Sequence, residues 1–194
     1  MPQLRAALLL LTALLAGCQA TPLRPPPPAP GAAPDWVQIG AHSYEQEAPG
    51  LGASRKYQGP AGTIDVYRYD LRRAWQDGLG DPAFNPHFQS TIEEVKYMAA
   101  QGRYSGLQIG PVRDVVVAGL PFRTVSYHFR VYGREMSSQT YLTATGSRLL
   151  KYRMSFFDPP AVDAAEMARR FIETDLSRPP AEGDEPLAPP GSSL

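Results

Sequence analysis

The sequence predicts an α+β domain: a mostly antiparallel β-sheet flanked by helices. Two patterns carry that prediction. Three consecutive segments between residues 122 and 157 alternate with a period of two and are joined by short turns, which makes an antiparallel meander. Two further segments, one before the meander and one after it, repeat apolar residues at helical spacing and need a sheet to pack on.

The elements follow in chain order. Residues 36–39 and 51–58 are weak strand candidates. Residues 63–71 place Ile64 and Val66 on one face with Tyr67 and Tyr69 close by, so both faces look covered, as in a central strand. A helix is expected at Ser90, whose pairing with Glu93 has the form of a capping box; Ile92, Val95 and Met98 give its stripe and Gly102 its stop. Tyr104-Ser105-Gly106 then reads as a turn, and residues 112–117 as a short strand leading through Gly119 into the meander. In residues 122–132, Val125, Tyr127, Phe129 and Val131 share one face, and Thr124, Ser126, His128 and Arg130 the other. After Gly133, residues 134–144 set Met136, Ser138, Thr140 and Leu142 against Ser137, Gln139, Tyr141 and Thr143. After Gly146, residues 148–157 align Leu150, Tyr152, Met154 and Phe156. The closing helix is expected to start at Asp158 as N-cap with Pro159 in its first turn, its stripe being Val162, Ala165, Ala168, Phe171 and Ile172.

This order of elements resembles the PsbP-like α/β/α sandwich family. The resemblance rests on Gly50-Leu51 before an extended segment ending near Tyr57, on Asp65-Val66-Tyr67-Arg68-Tyr69, and on the long insertion before Ser90. It also rests on the hairpins around Gly133 and Gly146, on Leu150-Lys151-Tyr152-Arg153, and on the final helix, covering residues 36–176. It implies protein-binding and accessory roles, and a family that includes bacterial envelope lipoproteins. No metal-binding motif of the family matches residue by residue.

The N-terminus predicts where the protein works. Arg5 precedes a leucine-rich run over residues 6–15, too short for the roughly 20 residues that span a bilayer. The run ends in Leu15-Ala16-Gly17-Cys18, which resembles the bacterial lipobox, so residues 1–17 are expected to be a signal peptide and Cys18 to carry the lipid. Residues 18–34 are mostly Pro and Ala and read as a tether of up to ~50 Å at about 3.1 Å per residue. A proline-rich ligand for another protein is the other use of such a segment. Residues 35–177 form the expected single domain, and residues 178–194 a disordered tail rich in Pro, Glu, Asp, Gly and Ser. Because Gln19, not Asp, follows the cysteine, a two-membrane cell should sort the protein to the outer membrane, facing the periplasm.

Composition narrows the chemistry. The 194 residues have a formal net charge of zero, with no basic stripe for nucleic acid. Cys18 is the one cysteine, so once it is lipidated no disulfide, thiol nucleophile or cysteine metal site remains. His42, His87 and His128 are far apart and lack metal-ligand spacing, and no Ser stands in a G-x-S-x-G elbow, so no catalytic, metal or cofactor site is expected. His128 suits cross-strand hydrogen bonding. Adjacent Glu93 and Glu94 point about 100° apart and do not pair. The glycines at 50, 52, 59 and 62 read as turns, since no helix with Lys-Ser/Thr follows either pair. Lys151 and Arg153, with Arg148 and Arg123, form either a basic patch for anionic head groups or a solvated sheet edge or helix-capping set.

The long segment 72–89 contains Trp75, Phe84, His87 and Phe88. Loops of about 18 residues are uncommon in compact domains, so these aromatics either anchor a partner or fold back as a lid over the sheet. Two functional classes follow. One is a lipid-anchored, non-catalytic interaction or accessory module of the envelope, with an envelope protein as partner. The other is a binder of a small apolar or amphipathic ligand between sheet and helices, in a pocket lined by Tyr67, Tyr69 and Trp75.

Overall fold

The computed structural model describes residues 36–157 and 163–178. The expected signal peptide, Cys18, the whole of the tether and all but Arg178 of the tail lie outside the described residues. The strands are β1 (Val37–Ser43), β2 (Ala53–Gly59), β3 (Gly62–Tyr69), β4 (Ser105–Ile109), β5 (Arg113–Val117), β6 (Leu120–Val131), β7 (Arg134–Thr145) and β8 (Arg148–Phe157). The helices are α1 (Phe84–Ala100) and α2 (Ala164–Ser177). Among the described residues the strands form one sheet in the order β1-β2-β3-β8-β7-β6-β4, with β5 also paired to β6, and every pairing is antiparallel. The α+β class is therefore as expected.

Two meanders make this sheet. β5 to β8 are joined by the two-residue turns Ala118-Gly119, Tyr132-Gly133 and Gly146-Ser147, and all six residues have positive φ. That geometry belongs to turns whose twist matches the twist of paired strands, so each hairpin closes in register. β1 to β3 form the second meander, which meets the first where β3 pairs with β8.

The β8 side chains divide between two cores. Leu150, Tyr152, Met154 and Phe156 pack with Tyr57, Ile64, Phe122 and the α2 residues Met167, Ala168, Phe171 and Ile172. On the other face Leu149 joins Tyr69, Val125, Tyr127, Phe129 and Leu142 under Phe84, Phe88, Ile92 and Val95 of α1. Successive strand residues point to opposite faces, so each helix covers its own side of the sheet.

Three expectations are corrected. Helix α1 begins at Phe84, not at Ser90, and the Ser90–Glu93 box does not form: Ser90 Oγ donates to the His87 carbonyl instead. Phe84 and Phe88 extend the stripe of Ile92 and Val95 by two turns, and Pro86 is tolerated because it falls in the first turn. Ser105 and Gly106 are not a turn but part of β4, which pairs irregularly with β6 beside β5. β1 runs to Ser43, past the expected end at residue 39. Asp158, Pro159 and Val162 lie outside the described residues; the cap that is described is Asp163, which accepts from the backbone N–H of Ala165 and Glu166.

Candidate functional site

The segment before α1 is a strap tied across the end of the sheet. Trp75 Nε1 donates to the Asp70 carbonyl at 2.7 Å, and the Trp75 amide to that of Ser147 at 3.1 Å. Gly78 bridges to Ala144 as an added strand pair. Asp81 gathers the rest, accepting from the Ala83 amide at 2.9 Å, the Gln76 amide at 3.1 Å and Arg73 Nη2 at 2.7 Å. Those bonds hold its carboxyl below the usual carboxylate range. The Arg73 guanidinium in turn lies 4.3 Å from the Trp75 ring centre.

The strap settles the fate of the aromatic loop. Trp75 is 4% exposed and Phe84 and Phe88 are fully buried, so these three are core residues and not a contact surface. Of the two uses weighed for them, folding back over the sheet is the one adopted, and Phe84, His87 and Phe88 stand on α1 itself. His87 alone of the four reaches the rim. Its Nε2 lies 2.7 Å from the Tyr69 hydroxyl, and its ring 5.7 Å from Trp75. Burial, with Lys151 nearby, lowers its pKa to about 4, so the ring is neutral at pH 7 and shares one hydrogen bond with the Tyr69 hydroxyl.

Beside His87 a polar cluster lies between α1 and the sheet. Tyr67 faces Lys151 across the β3–β8 pair, and Asp65 faces Arg153. The Lys151 side chain is 17% exposed; its Nζ sits 3.8 Å from Glu94 Oε2, 4.7 Å from the Tyr67 ring centre and 5.8 Å from that of Tyr69. Burial lowers its pKa against the opposing pull of Glu94. Arg153 Nε donates to Ser138 Oγ at 2.9 Å, Ser138 passes its proton to the Met154 carbonyl at 2.7 Å, and the guanidinium lies 5.2 Å from the Tyr127 ring centre. Burial raises the Asp65 and Tyr127 pKa values and, with Asp65 beside it, pushes Tyr67 up to about 12.

This arrangement corrects the reading of Lys151 and Arg153 as an outward basic patch. Lys151 faces Glu94 of α1, Arg153 turns to Ser138 and the Tyr127 ring, and Arg123 is held by Asp114 at 2.8 Å and Asn85 at 3.1 Å. Tyr67, Tyr69 and Trp75 lie in one cluster: Tyr69 and Trp75 meet at His87, and Lys151 lies over the rings of both Tyr67 and Tyr69. His128 lies 3.5 Å from its cross-strand neighbour Ser137, the structural place expected of it. His42 stacks edge-on with Tyr44. Among the described residues no three His, Cys, Asp or Glu side chains are grouped to hold a metal.

Sheet, register and one helix per face are decisive. The fold is an α+β sandwich. No family model and no curated protein matches the chain. Among solved structures it is similar to cyanobacterial PsbP (CyanoP) from Synechocystis sp. PCC 6803, at 13% identity and a TM-score of 0.45, over 73% of this chain and 79% of that one. It is also similar to a protein of unknown function, PA94, from Pseudomonas aeruginosa, at 13% identity and a TM-score of 0.39, over 76% of this chain and 85% of that one.

Proposed function

We propose that this protein is a lipid-anchored, non-catalytic interaction module of a bacterial cell envelope, held at the outer membrane through Cys18 and facing the periplasm. The observation that carries the proposal is Leu15-Ala16-Gly17-Cys18 directly after a short apolar run, followed by a proline-rich tether. The order and spacing of strands and helices support a PsbP-like domain at the end of that tether. With Trp75, Phe84 and Phe88 buried, an exposed surface suited to an envelope partner, among the described residues, is edge strand β1, whose seven residues are all exposed, Val37 and Ile39 among them. An open sheet edge of this kind accepts an added strand. Replacing Cys18 with Ser is expected to abolish incorporation of a fatty-acid probe in cells and to release the protein from the membrane fraction. Label retained on the variant would overturn the anchoring.

A second function, binding of a small amphipathic ligand, is favoured by one feature: the cationic and phenolic side chains gathered under α1 around Lys151.

A further inference from the structure

Between α1 and strands β3, β8 and β6, the donors of Tyr127, Lys151 and Arg153 converge with few acceptors in good hydrogen-bonding geometry. Tyr127 is fully buried, and among the described residues its hydroxyl closes no hydrogen bond. Arg153 spends only Nε internally, on Ser138, which leaves its terminal nitrogens without an acceptor among the described residues. Lys151 Nζ has Glu94 at 3.8 Å, beyond good hydrogen-bonding range, and the Glu94 side chain is 66% exposed. Buried donors are costly to leave unmade, and donors of this kind, two cations and a phenol, suit an oxyanion.

We propose that this cluster binds the carboxylate of a small amphipathic acid between Lys151 and Arg153, with the apolar body of the acid along the half-buried Tyr67 ring. A carboxylate is favoured over a phosphate dianion because, once Glu94 is displaced from Lys151, Asp65 offsets one of the two cations and a single positive charge is left to match. The planar guanidinium fork also matches a carboxylate. Glu94 is the internal competitor that a ligand displaces from Lys151. The proposal rests on the second function above and is independent of the lipid anchor, so loss of fatty-acid labelling and loss of ligand binding are separate failures.

The test is calorimetric titration of the full chain, carrying Cys18→Ser so that no acyl chain competes, with hexanoate, 1-hexanol and inorganic phosphate. Hexanoate is expected to bind saturably and at least about tenfold tighter than hexanol, the margin of one charge-assisted contact. Lys151→Met should weaken hexanoate by about tenfold, and Glu94→Gln, at an exposed helix position, should tighten it. Tyr127→Phe should weaken binding without lowering the melting temperature. The proposal is overturned if hexanoate does not bind, if hexanol binds as well, if phosphate displaces hexanoate at equal concentration, or if affinity is unchanged in both Lys151→Met and Glu94→Gln.

Discussion

His87 makes folding sensitive to acid. Its ring is half-buried against Tyr69 and Trp75, and the folded protein protonates it only near pH 4. The unfolded chain takes up the same proton near 6.5, so the unfolded state binds more protons between these values. Stability contributed by the neutral ring is therefore complete above about pH 6.5, falls as the pH drops towards 4, and is lost below. A shift of this size corresponds to about 3 kcal/mol at full burial, and solvent screening at a half-exposed ring leaves an expected loss of ~1–2 kcal/mol. Urea melts at about pH 7.5 and 4.5 check this: the difference between the two should shrink in His87→Gln, and an equal slope in that variant would reject the assignment. On the opposite face, Asp175 is 5% exposed and accepts from the Tyr152 hydroxyl at 2.8 Å and from Arg68 at 3.2 Å, which ties α2 to β8 and β3.

At the scale of elements, each helix is held by a few aromatic contacts. Phe171 of α2 lies 5.0 Å from the Tyr57 ring, 6.0 Å from Trp36 and 6.2 Å from Tyr152. Phe171→Ala is expected to cost about 3–5 kcal/mol, most of the stability of an ordinary domain. A loss under about 1 kcal/mol in urea melts would mean that α2 is not docked by this residue. The same reasoning now applies to α1. Replacing Trp75 and Phe88 together with Ser empties the core beneath the helix and places hydroxyls there, so this variant should fail to fold rather than merely lose a partner. The β6 strand was readable from alternation alone, since Val125, Tyr127 and Phe129 are buried while His128 and Arg130 are exposed. The start of α1 was less readable, because a plausible local cap at Ser90 competed with burial of Phe84 and Phe88, and burial won.

For the whole molecule, the two cores share one sheet and should melt together. Trp36 packs on the α2 side against Phe156 and Phe171, while Trp75 is buried on the α1 side. With only two tryptophans in the chain, each reports one face. Single-tryptophan variants made with Trp36→Phe and Trp75→Phe should each show one fluorescence transition, coincident with the loss of sheet signal in circular dichroism. A Trp75 transition that precedes it would show that α1 and the strap open as a separate unit.

Local pattern was enough for the α+β class, for the β5–β8 meander and for part of each helix's inward face, Ile92 and Val95 in α1 and Ala168, Phe171 and Ile172 in α2, because strand and helix periods are written in neighbouring residues. Ala165 of the expected stripe is exposed, and Met167 is buried in its stead. The proposed lipid attachment at Cys18 likewise rests on a short linear pattern, Leu15-Ala16-Gly17-Cys18. The packing of Trp75, Phe84 and Phe88 was open to two outcomes until the strap closed through Gly78, Asp81 and Ser147, contacts that join distant parts of the chain. β4 stayed hidden because an irregular five-residue edge strand carries little periodic signal. The cluster around Lys151 was invisible for a related reason: a polar residue on a strand reads as solvent-facing until a helix from elsewhere in the chain lies over it. Burial and altered pKa values arise from that nonlocal packing, so the sheet could be read from sequence and the polar cluster beneath α1 could not.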